Sequence, residues 1–281
     1  MKSGWFWAVL FWVPLVSGAE APRCPMGEDW VFCPEFSDEF DGEKLDETRW
    51  WDFNPTFYGR PPGLFARDNV AVKEGKLHLT ARVLRPEEKT VENRERGYDR
   101  FATAIVKGKK RVCYGYFEAR CKSMKAGVCN AFWLYDPLDP PKKFQPGSFS
   151  EEIDIFEVFG KPTRQDYDRL YCMNVHRFRT PYFEAIVNFD KEKLENKSRN
   201  VKVDFDFWAD YHVYGFLWTP EKMVWYVDGN EVFSRDNDFY HTPLRIMLDC
   251  EIMRGWTGEP DPADLPATFS IDYVRVWQQP K

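Results

Sequence analysis

Lys222-Met223-Val224-Trp225-Tyr226-Val227 and Glu231-Val232-Phe233 flank Asp228-Gly229-Asn230. β-Branched and aromatic residues around an Asp-Gly pair predict a β-hairpin, because that pair tolerates the positive φ angles that a tight turn demands. The pattern continues outward. Lys76-Leu77-His78-Leu79-Thr80-Ala81-Arg82 follows a turn at Glu74-Gly75, and Tyr114-Gly115-Tyr116-Phe117-Glu118-Ala119-Arg120 alternates aromatic and polar positions. Ser270-Ile271-Asp272-Tyr273-Val274-Arg275-Val276-Trp277 reads as a strict period-2 strand, with Ile271, Tyr273, Val274 and Val276 divided between its faces. Long apolar runs of helical period do not occur. Many short strands separated by turn signals predict an all-β fold, a sandwich or barrel.

Lys2, an apolar run from Trp5 to Val16, and then Ser17, Gly18, Ala19 and Ala21 predict a secretory signal over residues 1–21, cleaved after Ala19 or Ala21. The run is short of the ~20 residues that a spanning helix needs. The mature protein is therefore expected to be secreted, extracellular or periplasmic, with no membrane association once the signal is removed. The about 260 residues that remain fit one large β domain, 22–281. We expect a monomer. Aromatic residues form 17% of the chain, more than a single core usually requires, which predicts an exposed aromatic groove. The net charge of −6 excludes a nucleic-acid partner that binds by displacing counterions, although local arginines can still hold sulfate or carboxylate. Seven cysteines leave at least one unpaired in a monomer; Cys24 and Cys33 could close a small loop, but sequence does not fix the pairing. No Cys/His spacing suggests a metal site. The Pro-rich stretches Asn54–Gly63 and Asp136–Gly147 cannot be central strands, since proline donates no ladder hydrogen bond, so they are expected to form loops walling a groove.

The chemistry is concentrated in Glu152-Ile153-Asp154-Ile155-Phe156-Glu157. Glycoside hydrolysis needs one carboxyl to protonate the leaving oxygen and another to attack or to activate water. Glu152 and Asp154 share a strand face, whereas Glu157, five residues on, falls on the opposite face by strict alternation. A β-bulge at Ile155-Phe156 restores the parity, with Ile153 and one of Ile155 and Phe156 anchoring the strand in the core. The two glutamate backbones would then lie about 13 Å apart, and inward-leaning side chains bring their carboxyls near the ~5.5 Å of a retaining double displacement. Mutual repulsion should split the three pKa values. The assignment is Glu152 as nucleophile, Glu157 as general acid and then base, and Asp154 between them.

This run, continued as Val158-Phe159-Gly160-Lys161, resembles the signature of glycoside hydrolase family 16. The likeness extends to Phe36–Gly42 as the family's opening strand, Asn69–Leu79 as its next hairpin, Ala131–Leu134 as the strand before the catalytic one, Tyr211–Gly229 as its late hairpin and Asp272–Val276 as its closing strand. The resemblance implies a β-jelly roll sandwich of two antiparallel sheets with an open substrate cleft. It also implies retaining endo-hydrolysis of β-linked glucans or galactans without a required cofactor; a structural calcium, common among relatives, cannot be placed on any residues here. The segment Phe53–Phe65 is most similar to members that cut red-algal galactans, the β-agarases and β-porphyranases, and the insert between Trp133 and Glu152 is similar in length to that of κ-carrageenases. A galactan of the porphyran or agar type is thus the expected partner. A κ-carrageenase or an endo-β-1,3-glucanase with the same carboxylates is the alternative, and a non-catalytic carbohydrate-binding protein is the alternative of another class.

Arg60, on its Pro-flanked loop, is the candidate for a sulfate, since a guanidinium offers a planar fork to an oxyanion. Arg177, Arg179 and Arg254 are weaker candidates. Family resemblance implies that Trp133 is a sugar platform. His176 is a candidate to face the acids from a neighbouring strand, with a structural histidine as the alternative; Asp249 and Glu251 share one strand face and are candidates for sugar hydroxyls, with a structural pair as the alternative; Trp256 completes the candidates.

Overall fold

The computed structural model describes residues 21–136, 149–179, 184–186 and 200–280. The signal segment, apart from Ala21, and most of the Asp136–Gly147 stretch lie outside the described residues. Two antiparallel sheets pack face to face as a β-jelly roll. The outer sheet runs, strand beside strand, through Val70–Lys73, Lys76–Val83, Ala267–Gln278, Gly115–Lys122, His212–Trp218, Lys222–Val227 and Asn230–Asp236. The inner sheet runs through Phe101–Gly108, Arg245–Glu251, Cys129–Tyr135, Phe149–Phe159 and Leu170–Arg179. Arg82 and Val83 pair with Ala102 and Phe101, which joins the sheets along one edge. Gly63–Phe65 lies parallel to Phe101–Gly108 and draws the preceding Pro-rich loop over the inner sheet.

Alternation puts one face of each sheet into a shared core. Phe156, from the inner sheet, sits with its ring centroid 4.4 Å from Tyr214 and 6.1 Å from Phe269, both on the outer sheet. Each such side chain contributes about 1.5–3 kcal/mol on burial. The Asp228-Gly229 hairpin forms as expected, with φ of 49° and 78° and Val227 paired to Asn230.

Three details depart from the sequence reading. The closing strand is not strictly alternating: its register against Gly115–Lys122 shifts between Ile271 and Tyr273, leaving Asp272 unmatched and free to bind Arg120 at 2.7 Å and Lys76 at 3.3 Å. Phe36–Gly42 forms no strand beyond a single bridge, Asp38 to Val274, because the positive φ of Phe40 breaks the extension while Asp38 accepts from the Phe40 N–H and the Trp50 indole. All seven cysteines are free thiols, Cys24 and Cys33 included, and burial pushes both of these up to about 11.

Gly160, just past the carboxylate strand, has a steric reason. A Cβ there would lie 1.9 Å from the Met124 carbonyl oxygen. Gly160→Ala is expected to destabilise the fold by about 1–3 kcal/mol, as overpacking does, seen as a fall of about 2–10 °C in Tm. An unchanged Tm would show that the close approach is relieved at no cost.

Candidate active site

The carboxylate strand Phe149–Phe159 lies between Cys129–Tyr135 and Leu170–Arg179. On one side Phe132 pairs with Phe156 and Trp133 with Asp154, so Ile155 has no partner; on the other, Cys172 pairs with Glu157 and Asn174 with Asp154. This is the expected bulge. It turns Glu152, Asp154 and Glu157 to one face and Ile153, Ile155, Phe156 and Val158 into the core. Both Ile155 and Phe156 are buried there, where the sequence reading anchored only one of them. A bulge frees backbone groups from the ladder, and these must find other partners. Tyr171 donates its hydroxyl to the Ile155 carbonyl at 2.8 Å, and the Trp225 indole donates to the Asp154 carbonyl at 3.3 Å. Two buried aromatics thus hold the distortion that brings the three acids together.

Neighbouring strands complete the cleft floor. Tyr135 and His176 stand beside Glu152; Trp133 and Asn174 stand beside Asp154; Ala131 and Cys172 stand beside Glu157. Asp249 lies opposite Ala131 and Glu251 opposite Cys129, which places a second pair of acids on the same face. Asp154, Glu157, Asp249 and Glu251 are buried, while Glu152 retains partial exposure. Burial raises every one of these carboxyl pKa values, and repulsion from neighbouring acids adds to the effect at Glu152, Glu157 and Asp249. Asp154 and Glu157 both rise to about 8. The group titrates as a cluster sharing protons. Among the first three Glu152 alone keeps some solvent exposure, yet burial and Asp154 carry its carboxyl, too, well above the usual range.

Arg60 enters from the loop Asn54–Pro62 and donates its Nε–H to Glu251 Oε2 at 3.0 Å. The loop is pinned by Phe65 N–H to the Tyr58 carbonyl, Gly63 N–H to the Arg60 carbonyl and the Tyr98 hydroxyl to the Gly59 carbonyl. Gly59 adopts a φ of 109°, and a Cβ there would meet the Gly63 carbonyl at 2.7 Å, so the tight return requires glycine. The Arg60 charge lowers the pKa values of Glu152, Asp154, Asp249 and Glu251. Glu251 Oε1 is buried with no protein partner.

Trp133 stacks on Tyr135, centroids 5.8 Å apart at 16°, and both rings remain partly exposed. Its indole N–H is buried without a hydrogen bond of good geometry, though close enough to Asp249 to hold that carboxyl down slightly. His176 Nε2 lies 3.4 Å from Asp154 Oδ2. Trp256 stacks on Tyr167 at 6.1 Å and 19°, with Phe159 at 6.4 Å. Arg254 is committed to Glu259, at 2.7 Å from Nε, which occupies the fork offered to a sulfate. Arg177 pairs with Glu151 on the face away from the acids and covers the Phe239 ring at 5.4 Å, so alternation removes it from the cleft. The side chain of Arg179 lies outside the described residues. Among the described residues, only Glu152, Asp154 and His176 gather potential metal-ligating atoms, within 4.8 Å of one another. A cation there would sit between two of the three strand carboxylates and the neighbouring imidazole.

The sequence matches the model for the β-porphyranase A–D glycoside hydrolase family 16 domain over residues 30–279. The chain belongs to glycoside hydrolase family 16. It is 33% identical over 269 residues to β-porphyranase E of Zobellia galactanivorans, covering 90% of this chain and 89% of that one. It is also similar to the κ-carrageenase of Pseudoalteromonas carrageenovora, 26% identical over 94% of this chain and 69% of the relative. In fold it resembles the β-porphyranase BpGH16B of Bacteroides plebeius, with a TM-score of 0.75, 24% identity, and coverage of 92% and 94%. As a family 16 member the protein is a glycoside hydrolase, and its chemistry needs no cofactor.

Proposed function

We propose that this protein cleaves β-galactosidic bonds within a sulfated red-algal galactan, porphyran, with retention of anomeric configuration. The observation that carries the choice is Arg60: a half-exposed guanidinium on a pinned loop, anchored through Nε alone to Glu251 and close enough to the acids to influence their ionisation. Its remaining nitrogens suit a sulfate oxyanion. The unpartnered Glu251 Oε1 suits a sugar hydroxyl donor, and the Trp133–Tyr135 pair suits stacking of a pyranose ring. The names of the porphyranase relatives support the same reading.

In the first step Glu157 protonates the glycosidic oxygen while the Glu152 carboxylate attacks the anomeric carbon, giving a glycosyl ester and releasing the leaving chain. Esterification removes the Glu152 charge, and Glu157, now ionised, takes a proton from water, whose oxygen displaces Glu152 from the anomeric carbon. Asp154, beside His176, holds a shared proton between the two glutamates. Trp256 with Tyr167 forms an outer wall for the polymer. The chain is exported by its N-terminal signal and acts as a monomer.

Reducing ends released from porphyran, agarose, κ-carrageenan and laminarin test the reading. Porphyran is expected to be cleaved fastest; cleavage of κ-carrageenan alone or laminarin alone would contradict the choice of substrate. Arg60→Ala is expected to lower kcat/KM on porphyran by about 10–100-fold, as removal of a charge-assisted hydrogen bond does. Its effect on unsulfated agarose should be several-fold smaller. Equal losses on both polymers would count against sulfate recognition.

A further inference from the structure

Asn174 was not among the site residues expected from sequence, and its side chain does something specific. It lies opposite Asp154 in the ladder, but the bulge displaces Glu157 by one residue, so the Asn174 amide crosses diagonally and donates Nδ2–H to Glu157 Oε2 at 3.0 Å. We infer that Asn174 is the positioning residue of the acid/base: by offering a donor to Oε2, it favours the carboxyl proton of Glu157 on Oε1. This rests on the hydrolase mechanism proposed above and extends it. A donor facing Oε2 favours the proton on Oε1, because the carbonyl oxygen of a protonated carboxyl accepts a hydrogen bond better than its hydroxyl oxygen does. Oε1 is therefore the oxygen that delivers the proton to the leaving group and later takes one from water.

The bond also gains strength as the reaction proceeds. In the resting acid it is a neutral hydrogen bond; once Oε1 has released its proton, Asn174 donates to a carboxylate, and charge-assisted bonds are roughly twice as strong. An interaction that tightens toward the transition state accelerates the step, where uniform binding would not. Other groups surround Glu157 as well. Asp154 and Glu152 face it from its own strand, Cys172 and His176 from the next, and Cys129 from the preceding one. Asp249 and Glu251 face it from the strand beyond, Arg60 from its loop, and Tyr167 from the turn after the carboxylate strand. The Asn174 bond opposes the upward push of burial and of Asp154 on Glu157. Removing it leaves all the other groups in place, so the basic limb of the rate profile should move to higher pH.

The test compares wild type with Asn174→Ala and the isosteric Asn174→Asp on two substrates: porphyran and a porphyran oligosaccharide β-linked to 2,4-dinitrophenol, whose departure needs no protonation. We expect kcat/KM on the polymer to fall about 10–100-fold and on the dinitrophenyl substrate less than about 3-fold, with KM on the polymer little changed. The basic limb of Asn174→Ala should move up in pH. Equal losses on both substrates with an unmoved basic limb, or no loss in either variant, would overturn the role of Asn174. Wild-type protein that cleaves neither substrate would instead overturn the galactan-hydrolase reading beneath it.

Discussion

Glu152→Gln protein is expected to fold, to bind the polysaccharide and to cleave it at least about 10⁴-fold more slowly than wild type, as loss of a covalent nucleophile does. The amide keeps the shape of the side chain and cannot attack carbon. Because Glu152 is partly exposed and stands between Tyr135 and His176 on an otherwise intact strand, the change leaves the core untouched. Reducing-end assays together with binding calorimetry separate lost chemistry from lost affinity. In the smaller Glu152→Ala, azide fits the vacated space and attacks from the same face, so the product should carry the inverted configuration. Wild-type rates in Glu152→Gln would remove the mechanism.

Activity is expected to fall at alkaline pH with a limb near 8, set by Glu157. Burial and the neighbouring Asp154 charge raise that carboxyl from its usual range to about 8. A raised pKa means that the proton is held below that pH and lost as pH rises through it, so the general acid is present through neutrality. Each further unit then lowers kcat/KM about tenfold. On the acid side the rate falls as Glu152 takes up a proton. Glu157→Gln should lose about 10²–10⁴-fold on the polymer and show no alkaline limb from this group. A limb at pH 5 in wild-type protein would mean that Glu157 is not the acid.

The carboxylate centre was legible because its constraint is local. Three acids and the apolar residues between them cannot satisfy strand parity without an extra residue, and the ladder places that residue at Ile155. The hairpins were legible for the same reason, since Asp228-Gly229 and Glu74-Gly75 write their φ angles into their composition. What was not legible depends on pairing across the chain. Asn174 matters because of the strand it lies beside, and Tyr171 and Trp225 because they reach the bulge through the core. Asn174 two residues before His176 was the available signal, as the same strand face passes through both. Arg177 and Arg254 were weaker sulfate candidates by their places beside the carboxylate strand and Trp256, and one faces away while the other is held by Glu259. Asp272 shows the converse: a strand that reads as perfectly alternating carries a bulge whose loose residue is secured by Arg120 and Lys76, contacts far away in sequence.

The central claim, a covalent intermediate on Glu152, is tested most directly by trapping it. A 2-deoxy-2-fluoro-β-galactosyl oligosaccharide with a reactive leaving group slows breakdown of the ester more than its formation, and peptide mass spectrometry then locates the label. The account predicts a single glycosyl adduct on Glu152, absent from Glu152→Gln; an adduct on Asp154 or Glu157, or turnover with inverted product and no adduct, would contradict it.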